Sequence, residues 1–192
     1  MFKPTVRKLL QGAAVVAVSA LLAVPALAQK TKLTVYTALE NDQLGAYKQA
    51  FEAAHNDVEI AWVRDSTGVI TARLLAEKDN PRADVIWGLG ASSIALFESM
   101  GMLQGYTPKG VDQIKPVFRS DKNPTMWTGM DAWLAVMCYN TIEGGKKNMP
   151  KPTSWADLTN PVYKDSIVMP NPASSGTGYQ AVYAWLQIMG EK

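Results

Sequence analysis

One local pattern constrains this chain more than any other: an apolar, β-rich run, then a short polar loop carrying hydroxyls, then residues spaced as one face of a helix. Residues 32–36 alternate as a strand, and Leu44, Tyr47, Phe51 and Ala54 follow at helical spacing. Residues 58–63 form a second run, and Ser66-Thr67-Gly68 then leads to Ile70, Leu74 and Leu75. A third run, residues 83–87, ends in a loop containing Ser92 and Ser93, before Ile94, Phe97 and Met100, with Gly101 as a stop. Late in the chain Ile167-Val168-Met169 reads as a strand end. It is followed by Pro170-Asn171-Pro172-Ala173-Ser174-Ser175-Gly176-Thr177-Gly178 and by Tyr179, Val182, Tyr183 and Leu186. Strands alternating with helices at these distances predict a parallel α/β sheet, whose ligands sit beyond the carboxyl ends of the strands. The polar loops belong on that side.

Such loops are suited to anions. Helix-initial N–H groups lack internal partners and carry partial positive charge, glycines let backbone approach a ligand, and hydroxyls add donors. No Arg or Lys is required. The ordinary alternative is that Ser174 or Ser175 only caps its helix; recurrence of the pattern favours the ligand reading. Near the first loop, Asp42 reads as helix-dipole compensation, and Glu40 is left open.

The amino terminus has a different logic. Lys3, Arg7 and Lys8 precede an apolar run over residues 9–24, and Ala26-Leu27-Ala28 fits a small-x-small cleavage site. Residues 1–28 are read as a secretory signal, with cleavage after Ala28 leaving an exported protein destined for the periplasm. Removing those three basic residues turns the formal +2 of the whole chain into about −1. No basic stripe then remains to argue for nucleic acid or an anionic membrane. Cys138 is the single cysteine, so an intrachain disulfide is impossible; amid Leu134-Ala135-Val136-Met137 it reads as a buried thiol.

Residues 105–124 read as a surface connection, and residues 127–140 as extended chain partly buried on both faces, with Asp131 as its one charge. A lone carboxylate there must be paired or face a cleft, because burying it bare costs several kcal/mol. Ser154 and Asp157 stand at capping-box spacing in a short helix. A secreted serine hydrolase would need a base beside Ser174 or Ser175. The only His, His55, reads instead as a solvent-facing helix end, and Ser-Ser-Gly-Thr-Gly is not the Gly-x-Ser-x-Gly of a nucleophile elbow.

Together the signal segment, Leu33-Thr34-Val35-Tyr36-Thr37-Ala38, Asp65-Ser66-Thr67-Gly68, Ala83-Asp84-Val85-Ile86-Trp87-Gly88, Pro152-Thr153-Ser154-Trp155-Ala156-Asp157-Leu158 and the 172–178 loop resemble the periplasmic solute-binding proteins of ABC importers. The group is the one that includes ferric-iron, polyamine and phosphonate binders, and the resemblance is greatest to its 2-aminoethylphosphonate-binding members. It implies the two-lobed α/β periplasmic-binding-protein fold of type II, with residues 29–130 in a first lobe and 131–192 in the crossover and start of a second. It also implies a monomer without cofactor or metal, which captures ligand by lobe closure and delivers it to permease and ATPase subunits.

By that resemblance Thr37, Ser66, Thr67, Gly68, Ser92, Ser174, Ser175, Gly176 and Thr177 would hold the phosphonate. Tyr36, Glu40, Asp131 and Trp133 are the candidates for its ammonium. Members of the family are nearly twice this length, so the resemblance implies a chain truncated within the second lobe. A ferric-iron or polyamine carrier of the same fold is the alternative. Iron would need hard oxygen ligands such as Tyr36 and Glu40, and no cluster of them stands out.

Overall fold

The structure is a computed structural model that describes residues 29–191. The expected signal segment and its cleavage point lie outside the described residues. Three parallel strands, β1 (Thr31–Thr37), β2 (Val58–Arg64) and β3 (Val85–Trp87), form a sheet in the order β2-β1-β3. The helices α1 (Asn41–Ala54), α2 (Thr67–Ala76) and α3 (Ala91–Ser99) each follow one strand. The register sets Thr37 beside Arg64 on one side and Trp87 on the other, so the carboxyl ends of all three strands, and the loops that leave them, share one edge.

As the central strand, β1 is covered on both faces, and its last three residues, Val35, Tyr36 and Thr37, are all buried. Below the sheet Tyr36 packs with Ile70, Leu74 and Phe97 from α2 and α3. Ring contacts of 5.1 Å between Tyr47 of α1 and Trp87, and 5.4 Å between Trp62 and Trp87, cover the other face. The free edge of β2 is closed by side chains: Ile60 N–H donates to Glu52 Oε1 at 2.8 Å and Lys48 Nζ donates to the Ile60 carbonyl at 2.7 Å. Strand addition is thereby blocked at that edge. The Ile60 amide is also the main reason that the Glu52 carboxyl is held below its ordinary pKa.

After α3 the chain turns at Gly101, whose φ of +67° suits glycine. The connection that follows is anchored by Glu98, which accepts from Ser120 Oγ at 2.9 Å and from Trp127 Nε1 at 2.8 Å. Residues 131–140 depart from the expectation. They form no strand, Leu134 and Val136 are 82% and 70% exposed, and Cys138 is exposed rather than buried. Trp133 meets the start of the Ala91–Ser99 helix and Tyr139 lies against Gly144, while the large apolar side chains of Leu134 and Val136 stay exposed, and apolar character alone buries nothing without a surface to meet. Ile167-Val168-Met169 is likewise irregular and exposed, not a strand end.

The short helix α4 (Thr141–Lys146) is capped by Asn140, which accepts from the amides of Ile142 and Glu143. Ser154 and Asp157 form the expected capping box on a 3-10 turn, Trp155–Thr159. Helix α5 (Gly176–Met189) ends at Gly190, with φ +80°, and Trp185 from it meets Trp155 edge-on at 5.6 Å.

Candidate anion site at three helix starts

Three of the polar loops meet at Thr67, the first residue of α2. The Gly68 amide donates to the Ser174 carbonyl at 3.0 Å, joining the start of α2 to the loop before α5. The approach is possible only because glycines stand on both sides. A Cβ on Gly68 would lie 2.5 Å from the Ala173 carbonyl oxygen, and one on Gly176 would lie 2.7 Å from Thr67 Oγ1. Gly90, which precedes α3, faces the same residue, with a Cβ position 3.3 Å from Thr67 Cγ2 and 3.8 Å from Trp133 Cζ2. The N-termini of α2, α3 and α5 therefore all adjoin Thr67, and the Trp133 ring stands beside the start of α3.

Donors are left over at this junction. Among the described residues the amides of Thr67, Ala91, Ser92, Gly176 and Thr177 donate to no protein acceptor, and the hydroxyls of Ser66, Thr67, Ser92 and Thr177 make no protein hydrogen bond. Ser175 caps α5 by accepting from Gly178 N–H at 3.3 Å, and Ser174 Oγ donates weakly to the Asn171 carbonyl at 3.4 Å, so both are partly used locally. Three helix dipoles with their positive ends together, plus unpaired N–H and O–H groups, form an environment made of donors.

Asp131 and Trp133 flank a cleft of about 1180 Å³ that also touches Ala91 at the start of α3 and Gln180 on α5. Trp133 is 44% exposed, and Asp131 makes no hydrogen bond or ion pair among the described residues. An open cleft explains how a lone carboxylate is tolerated beside Trp and Met.

The remaining expected ligands are occupied elsewhere. Tyr36 is 1% exposed, donates to Glu77 Oε2 at 2.9 Å and lies under the Arg73 guanidinium, 4.8 Å from the ring centre. Burial, and then the Glu77 carboxylate, raise the Tyr36 pKa above its ordinary value. Burial alone would raise Glu77 too, but the bonds from Tyr36 and Arg73 outweigh it and lower its pKa. Thr37 is fully buried, its Oγ1 accepting from Leu39 N–H at 3.1 Å. Glu40 pairs with Arg64 at 2.9 Å, while Arg64 Nε donates to the Leu39 carbonyl at 3.0 Å. These three residues shape the β1–α1 loop and are not brought to Thr67. His55 is the exposed C-cap of α1, with its ring 4.6 Å from that of Phe51.

Two features escaped the sequence reading. Gly90 is the point where α3 meets Thr67, and the Gly-x-Gly of residues 88–90 was its only signal. Arg64, the last residue of β2, clamps the neighbouring loop; its place at a strand end immediately before Asp65-Ser66 could have drawn attention to it.

Comparison with known proteins places the chain in a family and a fold. Residues 80–192 match the model of a family described as bacterial extracellular solute-binding protein. A probable ABC transporter periplasmic-binding protein of Sinorhizobium fredii is 30% identical over 176 residues, covering 90% of this chain and 46% of that protein. The periplasmic binding protein AfuA from Actinobacillus pleuropneumoniae, solved with exogenous fructose-6-phosphate bound, superposes with a TM-score of 0.73 at 31% identity, over 85% of this chain and 52% of AfuA. The periplasmic binding protein P5PA gives 0.69 at 26% identity, over 84% and 52%. The chain spans about half the length of the curated relatives it matches. The fold is the α/β periplasmic-binding-protein fold, and the chain belongs to the bacterial extracellular solute-binding protein family.

Proposed function

We propose that this protein is the extracytoplasmic capture component of an ABC importer and that it binds a small organic anion with a phosphonate or phosphate head, 2-aminoethylphosphonate being the expected ligand. The carrying observation is the junction at Thr67, where three helix starts leave five amides without acceptors among the described residues. A tetrahedral dianion offers three oxygens, each able to take more than one donor. Bonds from N–H to a charged acceptor contribute about 1.5–3 kcal/mol each, and a helix terminus up to about 2 kcal/mol more. The junction needs no Lys or Arg for this, because its donors are fixed by backbone that is already folded.

The rest of the ligand would lie along the cleft. The Trp133 face and the Asp131 carboxylate suit an ammonium, and a site built for both charges rejects analogues lacking either, since its own groups would be left unpaired. AfuA supports the anion half, because its bound sugar phosphate carries the same kind of head. Ligand would be captured in the periplasm, after export on the signal segment, and passed to the permease and ATPase subunits by a monomer.

Isothermal titration with 2-aminoethylphosphonate, inorganic phosphate, fructose-6-phosphate, putrescine and ferric citrate in parallel tests the reading. Binding of the aminophosphonate well above the others is expected. Preference for the sugar phosphate would keep the anion site and remove the ammonium assignment. Binding of putrescine or ferric citrate alone would overturn the anion reading.

A further inference from the structure

The donors at Thr67 belong to helices with no covalent link at their starts, so something must fix the spacing of α2 and α3. A pair of hydroxyls one turn below the junction is placed to do this. Thr71 Oγ1 lies 2.6 Å from the Thr67 carbonyl oxygen and 2.8 Å from Ser93 Oγ. Thr71 has one hydroxyl proton, and a carbonyl can only accept. Thr71 therefore donates to Thr67, and the Ser93 hydroxyl donates to Thr71. The result is a chain from α3 through α2 to the backbone of Thr67, the residue on which the three helix starts meet.

Ser93 is the buried member and Thr71 is half-buried. Ser93 is 8% exposed, and Phe97 one turn further along α3 is fully buried in the core with Ile70 and Leu74. In such surroundings a hydroxyl left without its partner costs more than the bond contributes on balance, so the chain resists sliding of one helix along the other. The apolar contacts beneath it define a distance between helices, whereas these two bonds define a register. Register is what an anion held by amides from both helix starts requires.

We infer that Thr71 and Ser93 are positioning residues, which lock the first turns of α2 and α3 in the register that lets Thr67, Ala91 and Ser92 donate to one anion. This rests on the reading of the junction as an anion site. Neither residue touches the ligand.

The test compares T71V, T71S and S93A with the wild-type full chain. T71V keeps the branched shape of threonine and removes the hydroxyl; T71S keeps the hydroxyl and removes the methyl. The first measurement is affinity for 2-aminoethylphosphonate, with fructose-6-phosphate as a second probe. T71V and S93A are expected to bind about tenfold more weakly, the equivalent of one well-placed hydrogen bond, and T71S within about threefold of wild type. Equal losses in T71V and T71S would mean that packing and not the hydroxyl chain matters, and would overturn the inference, as would wild-type affinity in T71V.

The second measurement is amide hydrogen exchange without ligand, at Ile70, Thr71, Ser93 and Ile94. Exchange about tenfold faster in T71V and S93A, restored in T71S, is expected; unchanged exchange in T71V and S93A overturns the inference. If the wild type binds neither probe, the anion reading fails on the first measurement while the bridge is still decided by the second.

Discussion

Replacing Gly68 by Ala tests the contact between α2 and the 170–176 loop directly. The new Cβ would stand 2.5 Å from the Ala173 carbonyl oxygen and 2.8 Å from both the Cα and the carbonyl carbon of Ser174. All three are backbone atoms, so no side-chain rotation relieves the clash. Ordinary contact requires the loop to retreat by roughly 1 Å, which stretches the 3.0 Å bond from Gly68 N–H to the Ser174 carbonyl beyond useful length. Overpacking of this kind costs about 1–3 kcal/mol and the bond about 1 kcal/mol more. Against this, alanine in a helix gains up to about 1 kcal/mol over glycine.

The cost, however, can be escaped by parting the two loops while each stays folded. Stability should therefore fall only slightly, whereas the donors from α2 and α5 would no longer reach one anion, and affinity should drop by roughly 10- to 100-fold. Gly45 supplies the reference, since a Cβ there meets nothing within 4 Å. G45A should raise stability by about 0.5–1 kcal/mol and leave affinity alone. Thermal unfolding and isothermal titration of the wild type and both variants make the comparison. Wild-type affinity in G68A would refute the reasoning, because the loops could not then be in contact when ligand binds.

Thr177→Ala, which removes one free hydroxyl at the start of α5, should weaken 2-aminoethylphosphonate about threefold to tenfold by titration without changing the melting temperature. Asp131→Asn should weaken 2-aminoethylphosphonate more than methylphosphonate; equal losses would return Asp131 to a structural role. Asp157 gives a pH dependence: the Thr153 amide first, then the Ser154 amide and hydroxyl, hold its pKa down from 3.8 to about 2. A depressed pKa stabilises the folded state above the ordinary carboxylate value, and the stabilisation is lost as pH falls toward 2. The wild type should thus melt above D157N at pH 7, with the gap narrowing below about pH 4 and closing near pH 2.

Much of this arrangement was legible in the sequence because it follows from local pattern. Alternating strand residues and helical spacing located the sheet and α1 to α3, and a parallel sheet puts all its βα loops on one edge, which is where Ser66, Thr67 and Ser92 are found. The meeting of Gly68 with Ser174 was not legible, since it joins residues more than a hundred positions apart and depends on missing side chains rather than on any motif. The family resemblance puts Tyr36, near the end of β1, among the cleft residues. A central strand is covered on both faces, though, and Glu77, a full helix away, takes its hydroxyl. Glu40 looked free for the same kind of reason, its partner Arg64 coming from the neighbouring strand. The exposure of Cys138 and of Leu134 shows the converse limit: an apolar run is buried only where another element packs on it.

The central claim is that one anion is held by helix starts that meet at Thr67, and the most direct measurement is amide chemical-shift mapping of the isotope-labelled protein titrated with 2-aminoethylphosphonate. The account predicts that the largest shifts fall together on the amides of Thr67, Ala91, Ser92, Gly176 and Thr177, saturating with a single dissociation constant. Saturable binding with the largest shifts elsewhere, and these five amides unmoved, would contradict it.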